Sequence, residues 1–236
     1  MISFCIPAHN EEKLIGATVR AIHAAAASLN LDHEVVVADD GSTDRTGEVA
    51  QEAGARVVRV EHRKISATRN SAAHASEGRT LFFIDADTII EAQHVREALD
   101  LLDNGHIGGG ALVEFDGPVP LYARVILGVL LPLYGALGYS AGAFMFCTRE
   151  AYLASGGFPE EYYGAEEVFF AHRLKKQGRF RLIKGKVVTS GRKVRTHSMW
   201  EVLGTIGQTF WKGPGFAKKR ENMDFWYGER REDPGP

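Results

Sequence analysis

The chain has 236 residues, 44% of them hydrophobic, which is enough material for one full core. Its 28 basic and 30 acidic residues leave a formal net charge of -2, excluding the clustered cationic excess of a general nucleic-acid binder. The two cysteines, Cys5 and Cys147, sit in apolar runs and form neither a disulfide framework nor a zinc site; buried thiols in a reducing compartment are expected.

The opening segment MISFCIP reads as a buried strand ending at Pro7, with no basic leader or cleavage region of a signal peptide before it. From Glu11 to about Leu31 the chain is alanine-rich, and Leu14, Ala17, Ala21, Ala24 and Ala25 share one face of an expected helix. His33 to Asp39 is a continuous apolar run with polar ends, as expected of a parallel strand covered on both faces. Asp40 to Asp44 turns the chain, with Ser42 or Thr43 capping a helix that runs toward Ala53 and closes at Gly54. A third strand (ARVVRVE), a helix over Ser66 to Ser76 and a fourth strand from Thr80 to Asp85 follow. Next come a helix from Glu91 to Leu102 and a strand from Ile107 to Phe115.

Val125 to Cys147 contains no Asp, Glu, Lys or Arg and is long enough for a membrane helix. Pro132 and the glycines at 128, 135, 138 and 142 interrupt it, so a buried or interfacial element is expected. A helix from Glu166 to Gln177 is closed by Gly178, and FRLI and KVVTS are two short strands. From about Met199 the tail mixes a short helix with a loop rich in Gly, Pro, Lys and Arg. Alternating strands and helices predict a single α/β domain over residues 1–236, a Rossmann-like mixed sheet flanked by helices.

Ligands of such sheets bind beyond the carboxyl ends of the strands, where two acidic pairs fall: Asp39 and Asp40, then Asp85 and Asp87. Two carboxylates separated by one residue suit a hard divalent cation, magnesium or manganese, facing a diphosphate. Asp87 is the candidate direct ligand; Asp85 binds the metal directly, through water, or holds the ribose. A solvent-facing turn explains the triplet alone; the second acidic strand end favours a site. Asp39 and Asp40 suit a base edge, a ribose or the loop itself, and Gly41 permits a tight turn beside a nucleotide. Glu166 and Glu167 open a helix, where the helix dipole alone favours carboxylates.

Taken in order, Pro7-Ala8-His9-Asn10-Glu11-Glu12, VVVADDGSTDRT, FFIDADT, AGAFMFCTREAYLASGGFPE and GAEEVFFAHRLKKQG resemble the family 2 glycosyltransferases. The resemblance implies a glycosyltransferase A-type fold, with residues 1–104 mainly binding the nucleotide sugar. Residues 105–236 would supply the acceptor half and the tail. It implies a nucleoside diphosphate sugar donor, Mn2+ or Mg2+, and inverting displacement at the anomeric carbon onto an acceptor hydroxyl. By position, Pro7, His9, Asn10 and Glu11 would line the base and ribose pocket, with Asp39 on the base and Asp40 and Gly41 nearby. Arg69 and Asn70 are donor contacts in a segment reading Ala-Thr-Arg-Asn, where the family signature lacks the inserted Thr68; Lys64 is either a contact to the diphosphate or an ordinary surface charge. Asp85 and Asp87 match the metal triplet, and His197 is a third metal-ligand candidate, with Arg192 and Lys193 beside it for phosphate.

The family commonly has Glu-Asp where this chain has Glu166-Glu167; Glu167 is taken as the base, and Glu166 as positioning the acceptor or supporting the loop. Gly156, Gly157, Phe158, Tyr162, Tyr163 and Trp200 are assigned to the acceptor side, and Trp211 to Pro214 to a lid. The acceptor stays open between a saccharide, a lipid-linked molecule and a small hydroxylated one; nucleic acid is not expected. The expected location is cytoplasmic, or peripheral at the inner face of the membrane. The alternatives are a sugar-nucleotide nucleotidyltransferase and a non-catalytic nucleotide-sugar sensor or scaffold.

Overall fold

Strand β1 (Ile2–Ala8) pairs in parallel with β2 (His33–Asp40) on one side and β4 (Thr80–Ile84) on the other, and β2 pairs in parallel with β3 (Arg56–Val60). This is a computed structural model, which describes residues 1–140, 142–196, 214–223 and 227. Beyond β4 the sheet turns mixed: β7 (Phe144–Thr148) lies antiparallel to both β4 and β6 (Gly108–Phe115). β8 (Phe180–Thr189) runs parallel to β6 and carries the two-residue edge strand β5 (Thr88–Ile89). The resulting order is β3-β2-β1-β4-β7-β6-β8-β5.

Successive strand residues point to opposite faces, and the core divides accordingly. Phe4, Ile6, Phe82, Ile84, Phe144 and Phe146 pack under α1 (Ile15–Ser28) and α4 (Ala92–Asp103), against Val19, Ile22 and Val95. Cys5, Leu81, Phe83, Met145 and Cys147 face the other way. They meet Ala72 and Ala73 of α3 (Ile65–Ala75), Tyr152 of α6 (Arg149–Ser155), and Phe170 and Leu174 of α7 (Glu166–Lys175). Both thiols are free and buried, and burial pushes the Cys5 thiol up to about 12.

Gly109 stands where β6, β7 and β8 are most crowded. A methyl group there would collide with the Arg181 carbonyl and the Phe146 ring. Gly109→Ala is therefore expected to lower stability by about 3 kcal/mol in urea unfolding, since a sheet interior cannot yield without moving backbone.

Three expectations need correction. The first helix begins at Ile15, because Glu11 to Leu14 are spent on turns that tie the first two strand-end loops together. Neither Ser42 nor Thr43 caps α2 (Thr46–Glu52); Asp44 accepts the Thr46 N–H at 3.0 Å, and Ser42 Oγ accepts from Asn10 instead. FRLI and KVVTS form one strand, β8, whose pairing with β6 shifts register between Gly110 and Leu112. The uncharged stretch begins inside a helix, α5 (Leu121–Ala136), that includes Pro132 and leaves Val129, Leu133 and Leu137 exposed. Among the described residues no helix is long and apolar enough to cross a membrane.

Candidate active site

The loops leaving β1 and β2 are fastened to each other. Asn10 adopts φ +53°, donates its N–H to Ser42 Oγ at 2.9 Å and accepts the Thr43 N–H at 2.8 Å. The Glu11 N–H donates to Thr46 Oγ1 at 2.6 Å. His9 Nδ1 lies 2.8 Å from the Asp40 carbonyl oxygen, while Pro7 pairs in register with Ala38. Asp39 is buried and accepts the Ser42 N–H at 3.2 Å, and Gly41 takes φ +60° beside it.

Asp40 is engaged by the entry to α3. Its carboxylate accepts the Arg63 and Lys64 N–H groups at 2.8 and 3.1 Å and the Thr68 hydroxyl at 2.7 Å. Thr68, the insertion in the Ala-Thr-Arg-Asn segment, is thus an anchor that the motif comparison missed. The Lys64 ammonium stands 3.9 Å above the Tyr163 ring, a cation–π contact.

Asp85 and Asp87 follow β4. Asp85 is one-third exposed and accepts from Arg69 Nη2 at 2.7 Å. Asp87 accepts from the Thr189 hydroxyl at 3.3 Å and has Arg192 Nη2 at 3.3 Å. Arg192, from α8 (Arg192–Thr196), also forks onto both carboxylate oxygens of Glu11. Glu11, expected in the base and ribose pocket, is here the partner of Arg192. Burial first, then the charge of Glu11, push the Asp87 carboxyl up to about 6, with Arg192 opposing.

Two carboxylates beside each other, one raised by burial and then by the charge of Glu11, fit a hard cation that takes its remaining ligands from phosphate oxygens or water. Among the described residues no cluster of three His, Cys, Asp or Glu forms a complete cage, and His197 lies outside them.

Arg69 joins this group to the glutamate pair. It is 4% exposed, and its guanidinium donates to Asp85, to Glu166 Oε1 at 2.8 Å and to the Gly142 carbonyl at 3.3 Å. Burial works against its charge, but Asp85 and Glu166 outweigh burial and raise its pKa. Of its three nitrogens, Nε is the one with no hydrogen-bond partner among the described residues. Ala165, in the left-handed region at φ +58°, directs the chain into α7 and puts Glu166 and Glu167 in its first turn.

Those two carboxylates are not equivalent. Glu166 is buried and ion-paired with Arg69; burial raises its pKa and Arg69 opposes. Glu167 is partly exposed and has no ion pair among the described residues. Burial, then the charge of Glu166, push it up to about 8. Such a group can exchange a proton near neutral pH.

The side chain of Asn70, expected at the donor, is filled by protein. Its amide donates to the Phe158 carbonyl and to Glu160, both at 2.9 Å, and accepts the Phe158 N–H at 2.9 Å and the Tyr152 hydroxyl at 3.0 Å. Both donors and both lone pairs are used. Asn70 therefore clamps the turn in which Gly156 (φ +73°) caps α6 and Gly157 (φ +68°) continues left-handed. Phe158, expected on the acceptor side, is 1% exposed and packs against Phe83 and Phe170, so it lies in the core beneath the site.

Tyr162 stacks on Phe169 with ring centroids 3.8 Å apart. The Tyr163 N–H donates to the Ala217 carbonyl at 2.7 Å, and the Tyr227 hydroxyl accepts the Ile65 N–H at 3.2 Å. Residues 214–217, which form α9 (Pro214–Ala217), and Tyr227 thus pack on the aromatic side of the site. Trp200, Trp211, Lys212 and Gly213 lie outside the described residues.

A family model described as Glycosyl transferase family 2 matches residues 3–147. Among curated proteins, a 4,4'-diaponeurosporenoate glycosyltransferase of Staphylococcus haemolyticus is 33% identical over 105 residues, covering 42% of this chain and 27% of that protein. An undecaprenyl-phosphate 4-deoxy-4-formamido-L-arabinose transferase of Edwardsiella ictaluri is 29% identical over 116 residues, 44% of this chain and 34% of that one. Each match thus spans about a third or less of the curated relative. A mannosyltransferase from Pyrobaculum calidifontis, solved with GDP-Man and Mn2+, superimposes with a TM-score of 0.68 at 21% identity. That alignment covers 92% of this chain and 63% of the other, and shows a shared fold.

Proposed function

The chain belongs to glycosyl transferase family 2, and on that premise we propose that it transfers a sugar from a nucleoside diphosphate sugar to an acceptor hydroxyl, inverting the anomeric carbon. The observation that carries this reading is the asymmetry of the glutamate pair: Glu166 is ion-paired with Arg69, while Glu167 stands beside it with no ion pair among the described residues, its pKa raised by burial and by the charge of Glu166.

In the reaction, Glu167 takes the proton of the acceptor hydroxyl as that oxygen forms its bond to the anomeric carbon. The bond from that carbon to the diphosphate breaks, and its electron pair leaves with the nucleoside diphosphate. Asp87 and Asp85 would hold Mn2+ or Mg2+, which when bound offsets the charge of the departing diphosphate. Pro7, His9, Asp39 and Gly41 form the donor side; Asn10 and Asp40 hold its loops. Arg69 holds Asp85 and Glu166 at a fixed separation, so the donor and acceptor sides stay in register. Tyr162 and Tyr163 form the acceptor side with the C-terminal segment.

A panel of nucleotide sugars with manganese or magnesium, scored for binding by calorimetry and for donor hydrolysis, tests the reading. Selective, metal-dependent binding with slow hydrolysis is expected. Asp87→Ala is expected to weaken metal-dependent binding more than roughly tenfold, because it removes a ligand to the ion. Binding without turnover of any donor, in the presence of candidate acceptors, would favour a sensor.

A further inference from the structure

We propose that the exposed face of α5 docks the protein on an anionic membrane surface. Val129, Leu133 and Leu137 are 65%, 56% and 59% exposed and follow one another at four-residue intervals, a single apolar stripe along α5 and the residue that closes it. Pro132 and Ala136 are exposed beside them. On its other side the helix is held to the sheet: a methyl on Gly135 would stand 3.1 Å from Leu112 of β6. The stripe is therefore a fixed outer surface of the fold.

The charges at the two ends of the stripe are cationic, while acids near α5 include Glu114 on β6 and the Glu166–Glu167 pair near Tyr134. From Gly117 to Arg149 the sequence holds no Asp or Glu. Arg124 is exposed on the first turn of α5. At the far end, the Lys175 ammonium donates to the Leu137 carbonyl at 3.1 Å and lies 4.0 Å from the Tyr139 ring, with Lys176 exposed next to it. An apolar stripe with cations at both ends is the pattern of a helix lying in the plane of a lipid interface, where anionic headgroups supply the missing counter-charge. Spanning is excluded by length: α5 has 16 residues, against the roughly 20 that cross a bilayer. A second copy of the chain fits less well, because two-fold pairing of this face brings cationic ends together with no acid on the helix to meet them.

The chain leaving α5 reaches the glutamate pair. The Gly142 carbonyl accepts from Arg69, and a methyl on Gly142 would stand 3.3 Å from Glu167 Cγ. Docking along α5 thus sets the Glu167 side of the cleft beside the lipid surface. The docking itself does not depend on the transfer chemistry.

Flotation of the full chain with vesicles of phosphatidylcholine alone, or with roughly one third phosphatidylglycerol, tests this. Binding to the anionic vesicles that weakens with salt is expected. A roughly tenfold loss is expected in Val129→Glu/Leu133→Glu, and a loss with reduced salt sensitivity in Arg124→Glu/Lys176→Glu. Val129→Ser/Leu133→Ser, with thermal unfolding matched to the wild type, separates lost docking from lost folding. Wild-type protein that fails to float, or variants that bind as well as it does, overturns the proposal. So does a face variant that turns a dimer into a monomer on gel filtration without changing vesicle binding.

Discussion

Glu167→Gln is expected to lower kcat for sugar transfer by about 10²- to 10⁴-fold while leaving nucleotide-sugar affinity nearly unchanged. The amide keeps the shape of the side chain and loses only the capacity to take a proton. Steady-state kinetics beside calorimetric donor binding separates the two effects; a matched fall in affinity and rate would move the assignment to Glu166. In the wild type the base works only when ionised, so kcat/KM should rise with pH through about 8 and level off above it. The same shift has a consequence for stability. The folded protein holds the Glu167 proton to a higher pH than the unfolded chain, whose carboxyl titrates near 4.5. That contribution is fully present below pH 4.5 and is lost as pH rises through about 8. Glu167→Gln should flatten this decline, measured as the denaturation midpoint across the same interval.

Arg69→Met is expected to cost about 3–5 kcal/mol of stability, the range for removing one partner of a buried ion pair. Arg69 is nearly inaccessible and answers both Asp85 and Glu166, so its loss leaves three carboxylates, including Glu167, around an uncharged side chain. Arg69→Lys should not restore it, because one ammonium cannot reproduce the fork that reaches both partners. The double variant Arg69→Met/Glu166→Gln should recover part of the loss by removing the buried charge left behind. Urea unfolding of the four proteins reads this directly; equal midpoints for wild type and Arg69→Met would show that the bridge is not structural.

Much of this was legible in the linear chain, for reasons that can be named. The strands show because the central side chains of β4 and β7, and most of those of β1, alternate between two apolar layers, leaving unbroken runs such as LFF and FMF. The acidic strand ends and the glutamate pair show because their members are adjacent. β8 was divided in two because Lys184, Gly185 and Lys186 interrupt its apolar pattern, yet Gly185 packs beneath His94 and the strand continues. A two-residue strand such as β5 has no periodicity to read. Contacts made only by folding were out of reach. Arg192 meets Glu11 across 181 residues, and Asn70 meets Phe158 across 88. The motif therefore pointed to Asn70 while giving it a place at the donor.

The Asn70 clamp sets how this stretch can change. Aspartate at that position has no N–H to give the Phe158 carbonyl and Glu160, and glutamine, one carbon too long, would shift the amide away from Tyr152 and the Phe158 turn together. Saturation mutagenesis should accept almost nothing at Asn70 unless Tyr152 and the Gly156-Gly157-Phe158 turn are altered with it. In any set of homologues, position 70 and residues 152–158 should therefore vary together, as one inherited unit.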